Sequence, residues 1–429
     1  DAVALGYAAL ASSSETFAAG AKATASAQSA IAIGYNALAN QTSATALGRQ
    51  AKATANETIA IGYRANADAN QAIAIGDRAL ANDTYSIAIG SQANASGDRS
   101  IAMGYNAFAS GTNAAALMVG ARAFNTDSLA FGQFAYASGV NSLALGARAK
   151  AENTDSFAIG VGANASGVNA FAFGSYSNAE STNSFAVGSN AKATGVNAFA
   201  FGPNAYASGN DAFALGPKAR AVGDGSFALG DAAYDAPGAN DSLETGKSAT
   251  VMAGAPNASA YGTKALVYLG ADDAYAYGTE SKALAPNTIA SGTNSQAGGE
   301  NSVAIGQFAR TYGTWENQQS VNAVAVGVSS LSNGANSTSF GTEANANGAN
   351  AQAFGASAAS SGTNTTAIGS NASAIGTNAY ASGANAYAEG RNVIAIGANS
   401  YAYGYHTNVI AMGTDSSATA VSYTHLTLP

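Results

Sequence analysis

The chain has 429 residues, fifty of them glycine, six proline, one tryptophan and none cysteine, and carries a formal charge of −8. An apolar content of 47% against 10% charged residues excludes a disordered chain, and the lack of thiols excludes a disulfide scaffold or a zinc–cysteine site. The glycines do not fall every third residue, which excludes collagen, and the acidic balance argues against a nucleic-acid partner.

Internal periodicity governs everything else. From the start, Gly6, Gly20, Gly34, Gly48, Gly62, Gly76, Gly90 and Gly104 fall fourteen residues apart. Each closes a short alternating run such as Ile31-Ala32-Ile33-Gly34 or Ile73-Ala74-Ile75-Gly76. A second series, including Gly97, Gly111, Gly139, Gly167, Gly195 and Gly209, lies between the first. The unit is therefore two half-repeats of seven. Alanine favours helix, but a glycine every seven residues would cost a helix about 1 kcal/mol each time. The large residues are spaced by two, which aligns them on a strand. Strand wins.

In both halves the alternate positions are Ala, Ser or Gly, but the intervening ones differ. The first half carries Ile/Ile, Leu/Phe or Phe/Phe, as at Ile31/Ile33 and Phe171/Phe173; the second carries pairs such as Lys52/Thr54, Asn94/Ser96 and Tyr136/Ser138. No charged residue enters the large first-half positions from Val3 to Leu229. Two short strands joined by tight turns make one flattened coil of a solenoid. Gly139-Val140-Asn141, Gly167-Val168-Asn169 and Gly195-Val196-Asn197 supply turn chemistry, and the recurrent asparagines predict a stacked amide ladder. A fourteen-residue coil is too narrow for Ile or Phe, so the small residues fill the interior. The first-half side chains point outward although they are as apolar as a core, and a monomer cannot leave such a stripe in water. A closed, axially symmetric homo-oligomer covers it.

Further along, Gly120 reads as the end of an apolar half displaced by a two-residue insertion after Gly104, with the array recovered by Gly132. Residues 1–230 form the regular roll. Over 231–278 the glycine spacing lengthens to eight (Gly246, Gly254, Gly262, Gly270, Gly278), giving an irregular segment. The roll continues over 279–420, interrupted by a loop insertion at 314–321 that contains Trp315, a candidate ligand contact. From Ser337 onward the apolar pairs thin, as at Thr338/Phe340. The final stretch, 421–429, breaks the repeat, resembles a translated transposase sequencing adapter, and is expected to be non-native.

The repeat resembles the head repeat of trimeric autotransporter adhesins, the YadA-like family. The string Asn301-Ser302-Val303-Ala304-Ile305-Gly306 matches that family's consensus, and Asn141-Ser142-Leu143-Ala144-Leu145-Gly146 and Asn183-Ser184-Phe185-Ala186-Val187-Gly188 come near it. The resemblance implies an all-β, left-handed parallel β-roll in a homotrimer, displayed on a Gram-negative surface for adhesion to extracellular matrix, cells or surfaces. The number three comes from the resemblance alone. The predicted interface residues are Ile31, Ile33, Ile59, Ile61, Ile73, Ile75, Ile87, Ile89, Leu129, Phe131, Leu143, Leu145, Phe171, Phe173, Phe199, Phe201, Phe213, Leu215, Val303 and Ile305. Neither apolar heptads for a stalk nor strands for a membrane barrel are read here, nor a charged-then-apolar leader, so a passenger fragment is expected, tied to the membrane only by a C-terminal anchor outside it.

Catalysis finds little purchase. His406 and His425 are the only histidines, His406 reads as a turn residue, and no Ser-His-Asp or paired-carboxylate set stands out. No cofactor or metal is expected: Asp68, Asp77, Asp83 and Asp98 lack the nonapeptide of calcium-binding rolls and read as solvated turns. Exposed Tyr136, Tyr206, Tyr387 and Tyr401 are candidates for an aromatic adhesive face. A non-adhesive structural fibre or spacer (a phage fibre or surface-layer component) is the alternative. An ice-binding solenoid ranks lower, because the outward positions mix Lys, Asn, Tyr, Arg and Ser.

Overall fold

A computed structural model describes residues 1–312, 320–405 and 408–420. Trp315, His406 and the expected non-native tail lie outside the described residues. Among those described there is no helix. The chain forms a parallel β-solenoid in two compact units, Asp1–Ala205 and the part from Tyr206 onward.

In the first unit the apolar strands, from Val3–Leu5 to Phe199–Phe201, form one parallel sheet, and the mixed strands, from Leu10–Ala11 to Lys192–Ala193, form a second. Each strand pairs with its equivalent fourteen residues on: Ile59 with Ile73, and Ile73 with Ile87. Backbone bonds between coils complete the ladder, for example Ile73 N–H to the Ser86 carbonyl at 2.9 Å and Gly34 N–H to the Ala19 carbonyl at 2.8 Å. The second unit repeats the plan, with apolar strands from Phe213–Leu215 to Val409–Met412 and mixed strands from Tyr206–Ala207 to Ser417–Ala420.

The interior of each coil is made of small side chains. Ala30, Ala32, Ala37 and Ala39 are all at most 1% exposed. Alternation then sends Ile31, Ile33 and Leu38 outward. An added methylene in such a lumen costs about 1–3 kcal/mol, and stacking repeats that constraint along the unit.

The turns explain the glycines. Gly34 has φ +130°, and a Cβ there would sit 2.5 Å from the carbonyl oxygen of Gly48 in the next coil. The strand-closing glycine is thus required twice, by its dihedral and by its neighbour. Two residues later the backbone is left-handed, as at Asn36 (φ 57°), a conformation that asparagine tolerates. At the opposite edge the expected ladder is present from Asn169 to Asn197: the Asn169 amide donates to Asn183 at 3.0 Å, and Asn183 to Asn197 at 3.0 Å. Asn141 instead donates to the Asp155 carboxylate at 3.0 Å, which has no proton to pass on to Asn169.

One expectation is corrected. Ile101 pairs with Ala115 and Ala115 with Leu129, each fourteen on, so nothing is inserted after Gly104. Met118 (φ 99°) holds the strand-closing position, and Gly120 (φ 64°) occupies the left-handed corner that Asn106 and Phe134 fill in adjacent coils. Glycine serves both corner positions, and spacing alone assigned it to the wrong one.

In the second unit the register does lengthen. Phe227 pairs with Leu243, Leu243 with Ser259 and Ser259 with Tyr275, each sixteen apart, and the step returns to fourteen between Tyr275 and Ile289. Val303 pairs with Val324, twenty-one on. Ser320 of the expected insertion already begins an ordinary turn, whose carbonyl accepts the Ala323 N–H at 3.2 Å.

Candidate assembly interface

In each unit, the residues expected at the interface lie on the outward face of the apolar sheet. The first member of each pair is half-buried by its neighbours in the stack: Ile31, Ile59, Ile73, Ile87, Leu129, Leu143, Phe171 and Phe199 in the first unit, Phe213 and Val303 in the second. Most second members are more open. Ile33, Phe131, Leu145, Phe173 and Phe201 in the first unit, and Leu215 and Ile305 in the second, are exposed; Ile61, Ile75 and Ile89 are half-buried. Phe173 is 48% exposed although it sits in a row of apolar residues.

The register stacks like residues on like. Phe171 and Phe185 have ring centroids 5.1 Å apart, Phe185 and Phe199 5.2 Å, and Phe157 joins Phe171 at 6.3 Å. In the second unit Phe213 stacks on Phe227 at 5.6 Å. Phe157, Phe185 and Phe227 extend the predicted set, and their place in the repeat was the available signal. Such stacking adds about 0.5–1.5 kcal/mol per pair beyond area, yet leaves the outer edges of the rings in water.

The opposite face, made by the mixed strands, is chemically different. Around Arg122, Phe124 lies 5.4 Å from Phe108 and 5.2 Å from Tyr136. A groove of about 630 Å3 here is lined by Asn106, Arg122, Phe134, Tyr136, Lys150 and Glu152 among others. In the second unit Arg220 lies 5.3 Å from the Tyr206 ring and 5.2 Å from that of Tyr234, and Tyr387 stacks on Tyr401 at 5.2 Å. The tyrosines singled out by sequence therefore occupy this face in short local groups, but only Tyr401 among the four is exposed; Tyr136, Tyr206 and Tyr387 are half-buried by their neighbours.

A buried acidic pair was not anticipated. Asp235 and Glu244 are fully buried inside the second unit. One Asp235 oxygen accepts the backbone N–H groups of Val222 (2.8 Å) and Gly223 (2.5 Å), and the other accepts the Ser242 hydroxyl at 3.0 Å. Burial raises the Asp235 pKa against the pull of those bonds. Among the described residues neither Glu244 oxygen makes a hydrogen bond of ordinary geometry, although the Ser242 hydroxyl is near enough to pull its pKa down against burial. Burial, followed by the neighbouring Asp235 carboxyl, pushes Glu244 up to about 9, so it is held as the neutral acid at pH 7. Its sequence signal was the Leu243-Glu244-Thr245 triplet, in which Glu stands where the repeat has an interior alanine.

The profile of the YadA head domain repeat (2 copies) matches residues 11–37, 25–51, 39–65, 53–79, 67–93, 95–117, 123–149, 151–177, 179–205, 207–233, 271–295, 283–309, 319–344, 346–372 and 374–400. Among solved structures, the collagen-binding domain of the Yersinia adhesin YadA is similar at 20% identity, over 48% of this chain and 68% of that one, with a TM-score of 0.17. No curated protein matches in sequence.

Proposed function

The chain belongs to the YadA head domain repeat family, and we propose that it forms the head of a homotrimeric bacterial surface adhesin. The outward apolar column supports this reading. Phe131, Phe173 and Phe201 remain more than two-fifths exposed in a single chain. Fully burying a side chain of this size is worth about 1.5–3 kcal/mol, and the column repeats such exposed side chains coil after coil, whereas a monomer's largest apolar patch is about 300–600 Å2. Sister copies, three in number by the family, cover it through the twenty residues predicted from sequence. The mixed-strand face is then turned outward, where many weak contacts to matrix, cells or other heads add up by avidity. Collagen, which the Yersinia domain is described as binding, is a first ligand to try. The reading places the head outside a Gram-negative cell, held to the outer membrane by a C-terminal anchor.

The experiment reverses the two faces. Phe171→Asp with Phe173→Asp is expected to abolish assembly in sedimentation, whereas Asn94→Asp with Ser96→Asp leaves it intact. Equal effects would sink the assignment.

A further inference from the structure

The fourteen-residue plan sorts charge as well as size. In the first unit, the turns after the apolar strands carry Lys22, Arg49, Arg64, Arg78 and Arg148, all exposed. The turns after the mixed strands, at the other edge of the roll, carry Glu15, Glu57, Asp83, Asp98, Asp127 and Asp155. Asp77 and Arg99 are the exceptions, and Arg99 is paired locally with Asp98 at 3.3 Å. That is the only ion pair among the described residues of this unit. The mixed strands follow the same polarity. Lys52, Arg122, Lys150 and Lys192 take the outward position next to the cationic edge, and Asp68, Glu152 and Glu180 the one next to the anionic edge.

The two edges are separated by about five extended residues, ~16 Å at ~3.3 Å per residue. That exceeds the ~8–10 Å screening length of physiological salt, so the edges cannot neutralise each other within one chain. Opposite charges often lie near each other in level: Arg49 and Glu57 belong to one coil, as do Arg78 and Asp83, and Arg148 and Asp155; Lys22 is one coil from Glu15.

We infer that the anionic edge of one copy docks against the cationic edge of the next copy. This rests on the assembly proposed above and adds what that reading lacks, a device that fixes the direction of neighbouring copies. An apolar column alone does not distinguish a parallel neighbour from an antiparallel one. In a ring of parallel copies every interface joins unlike edges. An antiparallel neighbour would bring like edges together. Each exposed pair is worth about 0–1 kcal/mol, but several along each interface act in the same sense.

The test uses the full chain and two charge-reversal sets: Glu57→Arg, Asp83→Arg, Asp127→Arg and Asp155→Arg on one edge; Arg49→Glu, Arg64→Glu, Arg78→Glu and Arg148→Glu on the other. Sedimentation at 50 mM salt is expected to show each set alone weakening assembly at least about tenfold. Both sets in one chain should restore wild-type assembly, and 1 M salt should shrink the differences. The restored double set also guards against a set that merely fails to fold. A wild-type monomer would overturn both this inference and the assembly reading. A wild-type trimer indifferent to both sets, or weakened further by their combination, would overturn the charge pairing alone.

Discussion

Coils of fourteen residues and coils of sixteen are built from the same strands and turns, yet they tolerate different interiors. In a fourteen-residue coil four positions point inward, as Ala30, Ala32, Ala37 and Ala39 do. In the sixteen-residue coils of the second unit the longer turn contributes a fifth inward residue, Ala239, Ala255 or Ala271, all fully buried. The longer coils accept Val251, Val267 and Glu244, among the largest fully buried side chains of the described residues, whereas the fourteen-residue coils reach threonine, as at Thr58 and Thr365. A longer turn thus goes with larger residues at the inward strand positions.

The largest effect that would sharpen this contrast is a pH dependence confined to the wide coils. The folded pKa of Glu244, about 9, lies above its ordinary value of 4.5. Its contribution is therefore fully present below about 4.5 and is lost as pH rises through 9, with a slope of up to about 1.4 kcal/mol per pH unit. Asp235 is raised as well and adds in the same direction. Urea unfolding of the second unit should weaken from pH 5 to 8, and Glu244→Gln should flatten that trend. Unchanged midpoints over this range would mean that the acid is not buried as described.

A smaller contrast concerns glycine. Gly34→Ala places a methyl 2.5 Å from a backbone carbonyl at φ +130° and is expected to cost about 2–4 kcal/mol. Gly254→Ala, at φ +65° with nothing within 4 Å, should cost only about 1 kcal/mol. Smaller again, Ala88→Val in a narrow coil should cost about 1–3 kcal/mol, against under ~1 kcal/mol for Ala260→Val in a wide one. Equal shifts in thermal midpoint for the two valines would break the lumen argument. The smallest change is Asn183→Ala, which removes both ladder bonds to Asn169 and Asn197 and should cost about 0.5–1.5 kcal/mol.

The architecture was legible because a period of two within a period of seven leaves little freedom. Once Ala32 is placed inside, Ile31 and Ile33 must face out, and Gly34 must close the strand. The wide coils were legible for the same reason, as a change in glycine spacing. Gly120 misled because two corner positions both demand positive φ and glycine satisfies either; only the ladder of Ala115 against Ile101 and Leu129 separates them. The interior acids are not legible in the repeat, because a narrow lumen argues for small residues and gives no place to a glutamate. At Glu244 a widened coil accepts the size and burial suppresses the charge. The sorting of charge between the edges was also written in the sequence, but it emerges only when turns are grouped by the edge they occupy.

The central claim is that the outward apolar column requires sister copies. Sedimentation equilibrium of residues 1–420 at micromolar concentration tests it most directly. A single species of three chains is expected; a soluble, monodisperse single chain would contradict the account.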